Sequence, residues 1–182
     1  NAEGVYAVRF KRGGSWKVVV VDDWIPCNDR GKPCFALPPS DSCEGWAMLA
    51  EKAYAKLNGN YAVIVGGHEN EALQDLTGGV PMNIKLSPSE ARLEQYQGAE
   101  GEDALWRYLE SIVEGGTSHL GCSKKRGYDH STRSEQIMEG HAYGILAVAD
   151  ITRPTDGSNN RIVRIRNPWG GGKEWDGEFG DK

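Results

Sequence analysis

A histidine and an asparagine in the last third of the chain carry the most chemistry in this sequence. His141 opens the run Ala142-Tyr-Gly-Ile-Leu-Ala-Val148, and Asn167 closes the run Arg161-Ile-Val-Arg-Ile-Arg166. Between them lie Asp150, Pro154, Asp156, Gly157, Ser158, Asn159 and Asn160, all turn formers. Two Ile- and Val-rich runs around such a loop predict an antiparallel hairpin. Opposite residues in an antiparallel pair have a constant sum of numbers and share a face. A turn centred on Pro154 therefore sets His141 opposite Asn167, and a loop one residue off-centre breaks that pairing. An imidazole with one nitrogen held by an amide oxygen is fixed in one tautomer, and its other nitrogen can take a proton from a thiol. That is the oriented base of a Cys-His-Asn protease. The plainer readings are a structural histidine at a strand start and an asparagine that only begins a turn before Pro168.

Such a base needs a thiol, preferably at a helix N-terminus where the dipole lowers its pKa, with an aromatic close behind. Cys27 and Cys34 fall in turn regions and Cys122 in a predicted strand; Cys43 lies at a predicted helix start, with Trp46 after it. The four cysteines form no C-x-x-C and no zinc spacing with the four histidines. An even count permits disulfides, but nothing else suggests a secreted scaffold, so reduced thiols in a cytoplasmic setting are expected. Asp22-Asp23 could suggest a metal, although strand-end carboxylates more often bond nearby turn amides. Paired glycines occur without a G-x-x-x-x-G-K-[ST] or a G-x-G-x-x-G pattern, so no phosphate cradle is expected.

The elements that must position these groups read as a mixture of strands and helices. Residues 5–10 and 16–21 flank Lys11-Arg-Gly-Gly-Ser15, a hairpin signal, with Tyr6, Val8 and Phe10 on one face. Asp41 with Glu44 can cap a first helix in which Trp46, Leu49, Ala50, Ala53 and Leu57 recur at helical spacing; Asn58-Gly59 stops it. Lys52 and Lys56 read as its solvated face. Residues 61–65 form a short apolar segment, and Ala72, Leu73 and Leu76 a brief helix ending at Gly78-Gly79. His68, beside two acids, reads as a surface residue. Leu105, Tyr108, Leu109, Ile112 and Val113 mark another helix, and 117–123 a strand. Residues 86–101 give no clear pattern, and 124–135, free of Ile, Leu and Val, read as a mobile loop.

With 182 residues, 38% hydrophobic and 26% charged, the chain has the composition of one soluble globular domain. A net charge of −5 gives no basic footprint for nucleic acid. No apolar run approaches the length of a membrane span. The chain opens at Asn1 without an initiator Met and reads as an excised piece, and no interior linker marks a second domain.

Several stretches together resemble the catalytic core of calpain-type cysteine proteases. They are Gly140-His-Ala-Tyr143, Arg166-Asn-Pro-Trp-Gly170 with Glu174-Trp175, Leu49-Ala-Glu-Lys-Ala-Tyr-Ala-Lys-Leu-Asn-Gly59, and Asp75-Leu-Thr-Gly-Gly79. The resemblance implies an α+β, papain-like fold of two lobes with the active site between them. One lobe carries the nucleophilic Cys and the oxyanion-hole Gln; the other, a largely antiparallel sheet or barrel with helices, carries the His and Asn. By this likeness residues 1–182 match only the second lobe. His141 is then the general base, Asn167 its orienter and Trp169 the indole that shields their hydrogen bond; Gly140 presents backbone groups to the substrate.

The same likeness implies regulatory calcium, with Glu174 and Asp181 falling on two acidic ligands of a calcium loop. Gly170-Gly-Gly-Lys173 is one residue longer than the family pattern, and the chain ends at Lys182 before the remaining ligands; two carboxylates fall short of the six to eight oxygens calcium takes. The implied partners are the Cys-bearing lobe and protein substrates. The family helix that contains Cys43 carries no catalytic thiol. The leading expectation is thus part of an intracellular calcium-dependent endopeptidase, silent on its own for lack of the nucleophile. A non-catalytic calpain-like module that binds calcium or protein is the alternative, and a complete small hydrolase using Cys43 is the third reading.

Overall fold

Two glycines start the fold. Gly13 and Gly14 both have positive φ, +59° and +77°, as a two-residue hairpin turn with the twist of its strands requires. They join β1 (Val5–Arg12) to β2 (Ser15–Asp22), in the register Phe10 to Lys17 and Tyr6 to Val21. Phe10, Val21 and Ala53 form the buried centre, with Tyr6, Val8, Val19, Tyr54 and Leu57 packed against it. The face expected from alternation is the one that α1 (Trp46–Asn58) covers. This computed structural model describes residues 3–38, 44–86, 98–116, 118–124, 137–168, 175 and 177–180. Asp41 and Cys43 lie outside them, and the residue at the N-cap of α1 is Gly45, with no side-chain cap.

The described chain divides into two units, Asn1–Met82 and Asn83–Lys182. In the first, Lys56 is exposed, as a solvated face requires, Lys52 is half-buried, and both ammonium groups also bond the neighbouring strand. Lys52 Nζ donates to Asp22 Oδ1 and to the Trp24 carbonyl, and Lys56 Nζ donates to the Val20 carbonyl at 2.8 Å. An edge strand leaves carbonyls without a ladder partner, and an ammonium with three donors can satisfy them while its stem packs below. Asp22 Oδ1 also accepts the Trp24 N–H at 2.9 Å, the strand-end carboxylate bond expected from Asp22-Asp23. The helix α2 (Glu69–Thr77) supplies Asp75, which receives Arg12 Nη2 at 2.6 Å and the Tyr54 hydroxyl at 3.1 Å. The apolar segment after α1 is a 3-10 turn, Tyr61–Ile64, in which the Val63 N–H donates to Asn60 Oδ1 at 3.2 Å. Phe35 stacks on Tyr61 with ring centroids 4.1 Å apart, which ties the loop after β2 to this turn.

The second unit is a three-stranded antiparallel sheet in the order β3 (Leu120–Ser123), β4 (Ala142–Thr152), β5 (Asn159–Arg166), with α3 (Gly98–Gly115) against β4. Trp106 of α3 is 7% exposed, and its indole N–H donates to Asp150 Oδ2 at 3.2 Å. Arg161 lies over the same indole at 5.5 Å and pairs with Asp103 at 2.6 Å. Asp150 and Arg161 are direct cross-strand partners, so α3 is clamped to the loop-proximal half of one sheet face. Helices and antiparallel sheets in this mixture make the α+β class expected from the sequence.

Candidate active site

The far half of that sheet face carries His141. The approach to it is fixed by backbone contacts: the Gly140 N–H donates to the Lys124 carbonyl at 2.8 Å, and Lys124 and Glu139 form an isolated bridge. Gly140 has φ +65°, a left-handed conformation that a side chain would resist, so the bend before His141 depends on glycine. His141 immediately precedes β4 and Asn167 immediately follows β5, and both are half-buried.

His141 Nε2 and Asn167 Oδ1 are 2.8 Å apart. An amide oxygen only accepts, so Nε2 carries the proton and the lone pair of the neutral ring is at Nδ1. The bond arises from a different register than the sequence suggested. From Thr152–Asn159 to Ala147–Arg164 the strands pair at a constant sum of 311, and Ile145–Ile165 and Gly144–Arg166 pair at 310. The reversal is built around Asp156 rather than Pro154. Asp156 Oδ1 accepts the Ser158 N–H and hydroxyl, and the Arg153 N–H reaches the Ser158 carbonyl.

The change from 311 to 310 occurs because Leu146 has no partner, which is a β-bulge. Continued unchanged, the 311 register would set His141 and Asn167 on opposite faces. With the spare residue absorbed, the sum differs from the expected 308 by two, and the two side chains return to one face as diagonal neighbours. Tyr143, on the same face, was not singled out in the sequence. Its ring meets the His141 ring edge to face at 4.8 Å, and the two-residue spacing along a strand was the signal for it. Cys122 of β3 is the direct partner of Tyr143.

The remaining sequence candidates separate cleanly. Trp169, Glu174 and Asp181 lie outside the described residues. Glu178, between the last two, is occupied by Arg153 at 2.9 Å, and the Trp175 indole donates to the Glu178 carbonyl. Among the described residues there is no group of three or more His, Cys, Asp or Glu side chains that could hold a metal ion. No described helix is long and apolar enough to cross a membrane.

Comparison with known proteins bears on this arrangement. A family model described as calpain family cysteine protease matches residues 1–182. The chain is 41% identical to the calpain-type cysteine protease DEK1 of Arabidopsis thaliana, over all of this chain and 8% of that protein. It is 36% identical to calpain clp-4 of Caenorhabditis elegans and 33% identical to the calpain-2 catalytic subunit of Mus musculus, again over all of this chain, and over 23% and 24% of those proteins. The chain thus spans less than a quarter of the length of each of these relatives.

Proposed function

Because the chain belongs to the calpain family of cysteine proteases, we propose that it contributes the base and its orienter to a papain-like endopeptidase site whose thiol comes from a part of the protease outside residues 1–182. The observation that carries this reading is the 2.8 Å bond between His141 and Asn167. With Nε2–H held by the amide oxygen, Nδ1 takes the thiol proton, and the thiolate attacks the carbonyl carbon of the substrate peptide bond. The resulting imidazolium stays hydrogen-bonded to Asn167 and returns its proton to the leaving amine. The thioester left behind is hydrolysed by a water that gives its proton to the same nitrogen. In this reading Gly140 presents backbone groups to the substrate and Trp169 covers the His–Asn bond.

Protein substrates, a cytoplasmic setting and calcium control belong to the proposal on the family likeness. Glu174 and Asp181 are the two acids assigned to calcium, and no step of the chemistry is routed through the ion.

The test is cleavage of a fluorogenic peptide in calcium buffer by this chain alone and by its mixture with the Cys-bearing lobe of a calpain. Activity in the mixture that disappears in His141→Ala supports the proposal. Activity of the lone chain that disappears in Cys43→Ser would sink it in favour of a self-contained hydrolase.

A further inference from the structure

We propose that Tyr143 is a positioning residue for His141: its ring seats the imidazole, and its hydroxyl locks the turn that delivers the histidine to the sheet. The proposal rests on the reading of His141 as a base, and three observations carry it.

Tyr143 is 6% exposed, so its ring is held by the surrounding core and cannot swing away. The two rings lie 4.8 Å apart at 81°, inside the range where an edge-to-face aromatic pair is attractive. The Tyr143 ring forms a wall against the flank of the imidazole and so limits its rocking about the Nε2 bond. The third observation is the hydroxyl. It accepts the Met138 N–H at 2.8 Å, reaching back over five residues to the chain that enters the site.

Met138, Glu139 and Gly140 are then each fastened in turn. The first is held by the Tyr143 phenol, the second by a 3.7 Å ion pair with Lys124, and the third by its N–H on the Lys124 carbonyl. The phenol accepts the Met138 N–H and is also a side chain that touches the imidazole. One residue therefore couples the shape of the turn to the orientation of the ring. A phenylalanine would retain the wall and lose the lock, whereas a leucine would lose both.

The experiment is hydrogen exchange by NMR on the 15N-labelled chain, following the His141 Nε2 proton and the Met138 amide. Neither signal needs peptidase activity, so the seat can fail while the base role stands, and the reverse. Tyr143→Phe is expected to speed exchange at Met138 at least tenfold and to leave the Nε2 proton protected. Tyr143→Leu is expected to lose protection at both, so that the phenylalanine restores what the leucine removes at the imidazole. A folded Tyr143→Leu with wild-type exchange at Nε2 would overturn the proposal. Unchanged exchange at Met138 in Tyr143→Phe would overturn it as well, and that variant decides the matter if the leucine variant does not fold.

Discussion

His141 and Asn167 meet on a diagonal: Nε2 and Oδ1 are 2.8 Å apart, yet the 310 register carried one residue on sets Asn167 across from Tyr143. The tyrosine thus fills the directly opposed position, and the histidine reaches the asparagine from two residues further along the same face. A diagonal pair is long for short side chains, but an imidazole and a carboxamide can bridge it.

Removing the amide tests that bridge. Asn167→Ala leaves the fold in place and frees the tautomer, so kcat of the protease assembled with its Cys-bearing part should fall by roughly 100-fold, with KM little changed, since oriented acid–base catalysis contributes on that scale. A variant that turns over peptide at the wild-type rate would remove Asn167 from the mechanism.

Leu146 is a spare residue, so deleting it should straighten the strand and keep its pairs on both sides. Ile145–Ile165 and Ala147–Arg164 are expected to persist as cross-strand NOEs, with stability changed by no more than about 1 kcal/mol, as for other exposed sites. Loss of the Ile145–Ile165 contact would show instead that the strand slips as a whole.

Asp75 is 8% exposed and holds both Arg12 and Tyr54. Asp75→Ala strands the buried side of both partners. The Arg12 side chain is 41% exposed, so water recovers part of the loss, and about 2 kcal/mol of destabilisation is expected in urea unfolding. A change below measurement error would mean that this network contributes nothing to the joint between the hairpin, α1 and α2.

The Asp22 carboxyl is held below its ordinary value of 3.8, first by the Lys52 hydrogen bond and then by the Trp24 N–H. A depressed folded pKa adds stability above the unfolded value, and the contribution disappears as pH falls through the folded value. Lys52→Met should therefore raise the Asp22 titration midpoint toward 3.8 in carboxyl NMR and flatten the acid limb of the stability curve below that pH. An unmoved midpoint would assign the depression to the turn amide alone.

The sequence by itself determined what depends on neighbours in the chain. Gly13-Gly14 specified the hairpin, the spacing of Trp46, Leu49, Ala53 and Leu57 specified α1, and the turn formers between Asp150 and Asn160 specified two antiparallel strands, though with the turn centred on Pro154. The chemical types of His141 and Asn167, together with the family wording around them, sufficed to name the pair. Tertiary structure decided what depends on contacts distant in sequence or on a single residue of register. Lys52 finds its carbonyls 28 and 30 residues away, and Arg12 finds Asp75 at a separation of 63, partners that no local pattern encodes. The bulge at Leu146 was equally invisible, because a strand of alternating residues gives no sign of where it will carry one extra. The face shared by the histidine, the tyrosine and the asparagine turns on that residue, since every side chain in a strand changes sides with a shift of one.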